Sequence, residues 1–302
     1  MSSKEEARLY DQYYTKNDIA HYCLMELLKI LPQLKSEFQL IEPCAGRGAF
    51  YNLFSNISTS KFLPVGCDID PKIEGIKKAN FLLADAAELA LADRSHVAIV
   101  TNPPFGKKGT TAVGFFNKGG ALASLQAMIV PVQFRKWSIQ KKLDERFALV
   151  LDLDLPKNSF EFLGKPYSVR CCFQVWLDRS HFEIIRDLRL KRAPKIAHDD
   201  FIMYQFNCTP MAEKYFAMNW DFAVPRQGYC DYSLRITDQK DCHRRKQWIL
   251  FKAKDDSILQ RLLNLDFSKL AQKNTSTPGF GKADVVQLYT EIFGSNKELT
   301  SD

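Results

Sequence analysis

The sequence predicts an α/β protein in which a mostly parallel sheet is covered by helices on both faces, and two observations carry that expectation. Short β-rich runs alternate with helical stretches from Phe38 to about Leu177, the pattern of strands joined by helical crossovers. The runs are also almost continuously apolar, as strands covered on both faces are. Seven strand candidates follow in order: Phe38–Glu42, Leu63–Cys67, Phe81–Ala84, Val97–Thr101, Ala127–Val130, Phe147–Leu151 and Val169–Leu177. Ahead of them, Asp18–Leu31 reads as an amphipathic helix stopped by Pro32, and Gly48–Phe54 and Thr111–Leu125 are the clearest helices between strands.

Beyond Leu177 the alternation stops. A basic stretch with Pro194 gives way to aromatic-rich and polar segments, so the chain divides into residues 1–186 and a small α+β region over 187–302. Lys273–Lys282 within that region reads as a turn-rich surface loop.

Composition excludes several classes. A hydrophobic fraction of 46% and a charged fraction of 25% are those of an ordinary globular protein, not of a disordered or fibrous one. The start, Met-Ser-Ser-Lys-Glu-Glu, is polar and acidic where a signal peptide is basic and then apolar. No apolar run approaches the roughly 18 residues of a membrane span. A cytoplasmic protein is expected, or a nuclear one in a eukaryote, with no membrane partner. The eight cysteines include no C-x-x-C pair, and Cys208, Cys230, Cys242 and His243 match no zinc-ligand spacing, so reduced thiols and no metal are expected. The net charge of +7 permits a polyanionic partner without requiring one. Two basic runs are equally readable as phosphate contacts or as solvated surface: Arg186, Arg189, Lys191, Arg192 and Lys195, and Arg244-Arg245-Lys246.

The chemistry is carried by the ends of the strands. After the first strand, Glu42-Pro43-Cys44-Ala45-Gly46-Arg47-Gly48 enters a helix; its two glycines allow a ligand to approach the backbone, and the helix start offers unpaired N–H groups. The second strand ends in Asp68-Ile69-Asp70, where a carboxylate can accept both hydrogen bonds of a ribose diol. A dinucleotide site looks the same to this point. Leu83-Ala84-Asp85 after the third strand and Asn102-Pro103-Pro104-Phe105 after the fourth separate the two, since a dinucleotide enzyme has no need of the tetrad.

An exocyclic amine on a base is a weak nucleophile because its lone pair is delocalised into the ring. Two acceptors, the Asn102 side-chain oxygen and the Pro103 carbonyl, can take both amine hydrogens and favour a tetrahedral nitrogen. Each proline lacks an N–H and has a fixed φ, which stiffens the loop. Phe105 offers a ring for stacking, worth about 1–3 kcal/mol per base. Taken as a mere turn, Asn-Pro would need none of the company it keeps here.

In this order the motifs resemble the S-adenosylmethionine-dependent amino-methyltransferases of nucleic acids, in particular the adenine-specific DNA methyltransferases in which cofactor motifs come first and target recognition last. The resemblance covers roughly residues 10–180 and includes Gln12-Tyr13-Tyr14-Thr15-Lys16, Ile129-Val130-Pro131 and Asn158 to Tyr167. It implies a Rossmann-like methyltransferase fold with seven strands, the last antiparallel, and S-adenosyl-L-methionine as cofactor. It implies Tyr14 and Thr15 near the cofactor, and Glu42, Pro43, Ala45, Gly46 and Gly48 around its amino-acid part. Asp68 would meet the ribose, Ile69 the adenine ring and Asp85 the adenine amine, with Asn102 between cofactor and target. The catalytic set is Asn102, Pro103, Pro104 and Phe105, with Phe160, or failing that Phe162, stacking on the far face of an extruded base. The implied partner is nucleic acid, DNA before RNA, and the implied reaction is methylation of adenine N6. An RNA base or a glutamine side-chain amide is the alternative acceptor, and a binding module without turnover is the non-enzymatic one. The C-terminal region resembles no target-recognition domain.

Overall fold

The computed structural model describes residues 13–272 and 277–294. The polar start, Gln12 and residues 273–276 of the expected surface loop lie outside the described residues. The chain divides between Lys191 and Arg192 into two compact units.

In the first unit the elements run β1 (Tyr14–Thr15), α1 (Asn17–Ile30), α2 (Leu34–Glu37), β2 (Gln39–Pro43), α3 (Tyr51–Ile57), β3 (Val65–Asp68), β4 (Ile76–Lys78), β5 (Val97–Thr101), α4 (Thr110–Leu122), β6 (Leu125–Pro131), α5 (Trp137–Gln140), β7 (Phe147–Asp154), β8 (Phe160–Phe162), β9 (Lys165–Tyr167) and β10 (Cys171–Asp178). Seven of these strands form one sheet in the order β4-β3-β2-β5-β6-β10-β7. Neighbours from β4 through β6 are parallel, and β10 is antiparallel to both β6 and β7. This is the Rossmann-like methyltransferase fold with its antiparallel last strand.

The strands alternate their side chains between two cores, as period-two geometry requires. Leu40, Ala98, Val100, Ala127, Ile129 and Phe173 face the core closed by α1. Ile41, Val97, Ile99, Met128, Val130 and Trp176 face the opposite core, which Phe115 and Phe116 of α4 close. Because β2, β5, β6 and β10 are buried along their whole length, their sequences carry no polar alternation.

One expected strand is misplaced. Phe81–Ala84 is a turn, and the edge strand of the sheet is Ile76–Lys78. Only Ile76 of β4 is buried, whereas Lys77 and Lys78 are exposed, so the edge has no apolar run to read; Phe81 and Ala84 are buried as loop residues.

Between β7 and β10 a hairpin leaves the main sheet. Its strands β8 and β9 are joined by Leu163 and Gly164 at φ 50° and 73°, positive at both central positions as tight hairpin turns require. The chain start adds to it as a third strand, with Tyr14 opposite Glu161 and Thr15 opposite Phe160.

The second unit holds β11 (Phe201–Phe206), β12 (Phe222–Gln227), β13 (Gln247–Ala253), α6 (Asp256–Leu263), α7 (Phe267–Ala271) and α8 (Lys282–Phe293), with an antiparallel sheet in the order β11-β13-β12. The helices cover one face, packing Phe251, Leu262, Phe267 and Tyr289 together. The other face is filled by Phe206, Phe216, Trp248 and Leu250. Asp255 and Asp266 cap α6 and α7 by accepting N–H bonds from Ile258 and Lys269. Among the described residues no helix is long and apolar enough to cross a membrane.

Candidate active site

The sheet reverses direction of growth at β2, whose neighbours are β3 on one side and β5 on the other. Ligands of open α/β sheets bind at the carboxyl ends of the strands at such a switch point. There the glycine turn leaves β2 and Asn102 leaves β5, and a cavity of about 360 Å³ lies among them, within the size range of small-molecule sites.

The two strand ends are stitched together. The Thr101 hydroxyl donates to the Pro43 carbonyl, and the Cys44 thiol lies 3.5 Å from the Asn102 carbonyl and 3.3 Å from the Thr101 hydroxyl. Burial pushes the Cys44 thiol well above its ordinary pKa, so it is a neutral linker and not a nucleophile. The turn has Cys44, Gly46 and Gly48 at φ 56°, 53° and 72°. A Cβ on Gly46 would stand 3.1 Å from the Tyr14 ring, and one on Gly48 would stand 2.5 Å from Ile73.

Asp68 holds the turn's shape. Its Oδ2 accepts the Gly46 N–H at 2.8 Å and its Oδ1 the Asp70 N–H at 2.8 Å, which leaves each oxygen able to accept a further bond, and the residue lines the cavity. Glu42 is 3% exposed and accepts the Tyr51 N–H at 2.6 Å and the Phe50 N–H at 3.4 Å, capping the start of α3. Burial pushes its carboxyl up to about 8 against the pull of those two N–H groups.

Asn102 is held differently. Its side-chain Nδ2 donates to the Tyr13 carbonyl at 3.1 Å, and its buried Oδ1 has no partner among the described residues. The residue lines the cavity, and this buried, unpaired acceptor belongs to it.

Of the residues singled out in the sequence, Tyr14, Thr15, Glu42, Ala45, Gly46, Asp68, Ile69, Asn102 and Pro104 line this one cavity. Pro43, Gly48 and Pro103 lie behind the wall as buried scaffold. Phe105 is half-buried and packs against the α1-side core, not on the cavity. Phe160, beside Thr15 in the pairing of β1 with β8, is 0% exposed, belongs to that same core and is absent from the lining. Phe162, two residues on, instead joins Tyr13 and Tyr167 in an aromatic cluster with centroids 5.0–5.7 Å apart. Asp85 is exposed, accepts the Glu88 N–H at 2.7 Å and is absent from the lining. Asn80 stands on the wall in its place, with Leu82 and Phe115 as apolar lining that the sequence did not single out.

These residues fit S-adenosylmethionine: a glycine turn open to backbone approach, an immobilised carboxylate one strand away, and half-exposed Ile69 and Leu82 beside Phe115 to receive a flat ring.

No protein-family model matches the chain, and no curated protein matches it. Similar solved structures include the methyltransferase subunit of a type I restriction-modification system from Streptococcus thermophilus, at 19% identity over 55% of this chain and 45% of that one, TM-score 0.42. Others are TrmN from Thermus thermophilus, at 19% over 51% and 47%, TM-score 0.35, and magnesium protoporphyrin IX methyltransferase from Synechocystis PCC 6803 with S-adenosylmethionine bound, at 8% over 54% and 79%, TM-score 0.38. The chain spans about half the length of the first two. Likeness at this level does not bear on activity or substrate, for which the chain's own site must answer.

Proposed function

We propose that the chain is an S-adenosylmethionine-dependent methyltransferase acting on the N6 amine of adenine in nucleic acid, with DNA before RNA. The observation that carries this reading is the Asn102 amide of the cavity wall, tied through Nδ2 to a main-chain carbonyl while its buried Oδ1 has no partner among the described residues. A buried acceptor without a partner costs about 1–3 kcal/mol, a cost that a ligand N–H relieves.

In this reading Asn102 Oδ1 takes an amine hydrogen, with Pro103 stiffening the backbone behind it, and the nitrogen lone pair is turned toward the methyl group. When bound, S-adenosylmethionine would supply an electrophilic methyl on a sulfonium, so that the N–C bond would form as the C–S bond breaks, the electron pair remaining on sulfur and the extra amine proton going to solvent. Neither metal nor strong base is needed, and the site works by positioning. Asp68 holds the ribose, Ile69 and Leu82 the adenine ring of the cofactor, and Asn80 stands where the adenine amine needs a polar partner. The target base is extruded to reach Asn102. The order of motifs, which resembles that of adenine-specific enzymes, supports DNA as the first acceptor.

Purified protein with methyl-labelled cofactor is to be offered duplex and single-stranded DNA, bulk RNA and a glutamine-containing peptide, followed by nucleoside and amino-acid analysis. Label in N6-methyladenine from DNA is expected. Label confined to RNA or to glutamine moves the substrate while keeping the chemistry, and no label on any acceptor, with cofactor bound, defeats the reading.

A further inference from the structure

We infer that Tyr13 is a positioning residue whose main-chain carbonyl selects the productive orientation of the Asn102 amide, and that β1 holds that carbonyl between the cofactor turn and the β8–β9 hairpin. The inference rests on the methyl-transfer reading and extends it to a residue outside the tetrad.

A primary amide is nearly symmetric in shape, so packing alone does not decide whether its oxygen or its nitrogen faces a ligand. In one orientation Asn102 offers an acceptor to the amine hydrogens. In the other it offers N–H against N–H, and transfer cannot proceed. A main-chain carbonyl only accepts, so the Tyr13 oxygen, 3.1 Å from Nδ2, admits one orientation and makes Oδ1 the atom left without a partner. The orientation of the catalytic side chain is thus set 89 residues away in sequence.

The carbonyl is itself held from both sides. On the hairpin side the Tyr13 ring stacks on Tyr167 at 5.0 Å and lies against Phe162 at 5.2 Å. The Lys16 N–H donates to the Ser159 carbonyl at 3.1 Å, just beyond the pairing of β1 with β8. On the cofactor side the Tyr14 ring closes over Gly46, and the Arg47 guanidinium lies 4.3 Å from its centroid and reaches Glu161 of β8 at 3.5 Å. Tyr13 and its neighbour Tyr14, the first residue of β1, therefore touch the Asn102 amide, the hairpin aromatics and the glycine turn. A shift of β1 on either side moves the one group that keeps Asn102 facing the right way.

Two variants test this in the full chain. Asn102→Asp keeps the shape and an acceptor at the Oδ1 position but sets a second oxygen against the Tyr13 carbonyl. Amide hydrogen exchange over residues 14–16 is expected to quicken by about tenfold, the worth of one hydrogen bond, while β2 and β5 stay protected. Tyr13→Ala leaves Asn102 intact but frees the strand from the hairpin rings. Here kcat is expected to fall by about ten- to a hundredfold while the cofactor Kd, measured by calorimetry, stays within about threefold. A merely structural tyrosine would lower cofactor affinity and thermal stability together and spare kcat. Wild-type exchange over β1 in Asn102→Asp, or a wild-type kcat in Tyr13→Ala, overturns the inference. Should the wild-type protein methylate nothing, the exchange arm alone decides: release of β1 upholds the link even as the methyl-transfer reading falls, and unchanged exchange removes both.

Discussion

Asn102 and Asp68 stand on the same cavity with different tasks, and their hydrogen bonds say which. Asp68 accepts two N–H bonds that shape the glycine turn; the buried Asn102 Oδ1 has no partner among the described residues. Asn102→Ala should therefore cut kcat by about a hundredfold or more while cofactor affinity holds, and Asp68→Ala should weaken the cofactor about tenfold or more with a smaller effect on kcat at saturation. Calorimetry beside single-turnover kinetics separates the two, and equal loss of cofactor affinity in both variants would refute the division. Glu42 makes a prediction about pH. Its carboxyl is raised from 4.5 to about 8 by burial, so between those values the folded chain binds a proton that the unfolded chain has lost. Stability contributed by the protonated form is complete below the unfolded value and drains away as pH rises through about 8. Thermal unfolding of the unliganded protein should show this decline, and Glu42→Gln should flatten it; parallel pH profiles for the two proteins would exclude Glu42 as its source.

At the scale of elements, the turn between β2 and α3 makes a sharper demand than its two glycines suggest. Gly46→Ala places a methyl 3.1 Å from the Tyr14 ring at a φ of 53°, a conformation that costs an L-residue about 1–2 kcal/mol. The ring must yield, so cofactor affinity should fall by about tenfold with β1 loosened, and a variant that binds cofactor as wild type would show that β1 does not close this part of the cavity. Which elements were legible in the sequence follows from burial. The central strands announced themselves because both their faces are covered, whereas β4, at the sheet edge with two exposed lysines, did not. That one displacement carried into the site. The resemblance implied Asp85 with the third strand drawn at Phe81–Ala84; with the strand at Ile76–Lys78, the polar residue just after it on the cavity wall is Asn80. Phe160 and Phe162 could not be told apart, because their spacing puts both on one face of β8, and only packing distant in sequence sends Phe160 to the core and Phe162 to the Tyr13–Tyr167 cluster. No local signal marks Tyr13, whose part depends on a contact across 89 residues.

Over the whole molecule the proposed nucleic-acid acceptor makes a demand on charge, and the basic runs meet it differently in place than in sequence. Arg189, the centre of the first basic run, donates to the carbonyls of Gln140, Leu143, Asp144 and Phe147 and so belongs to the fold of the first unit. In the second run Arg244 lies 3.7 Å from the Phe216 centroid and pairs with Glu213 at 3.3 Å, and Lys246 donates to the Gly228 carbonyl at 3.0 Å. A cation already engaged by the fold must break those bonds before it neutralises a phosphate. Each phosphate neutralised on duplex DNA contributes a slope of about −0.9 to log K against log salt, so a dedicated groove of six or more contacts gives about −5 or steeper. With both runs partly spent inside the fold, the net charge of +7 is spread too thinly for that, and a slope of about −3 or shallower is expected for labelled duplex followed by anisotropy across a potassium chloride series. Arg244→Ala should accordingly lower the melting temperature of the second unit while leaving this slope unchanged. A steep slope that Arg244→Ala relieves by about one unit would instead identify the C-terminal unit as the phosphate grip, with its cation–π contact to Phe216 given up on binding.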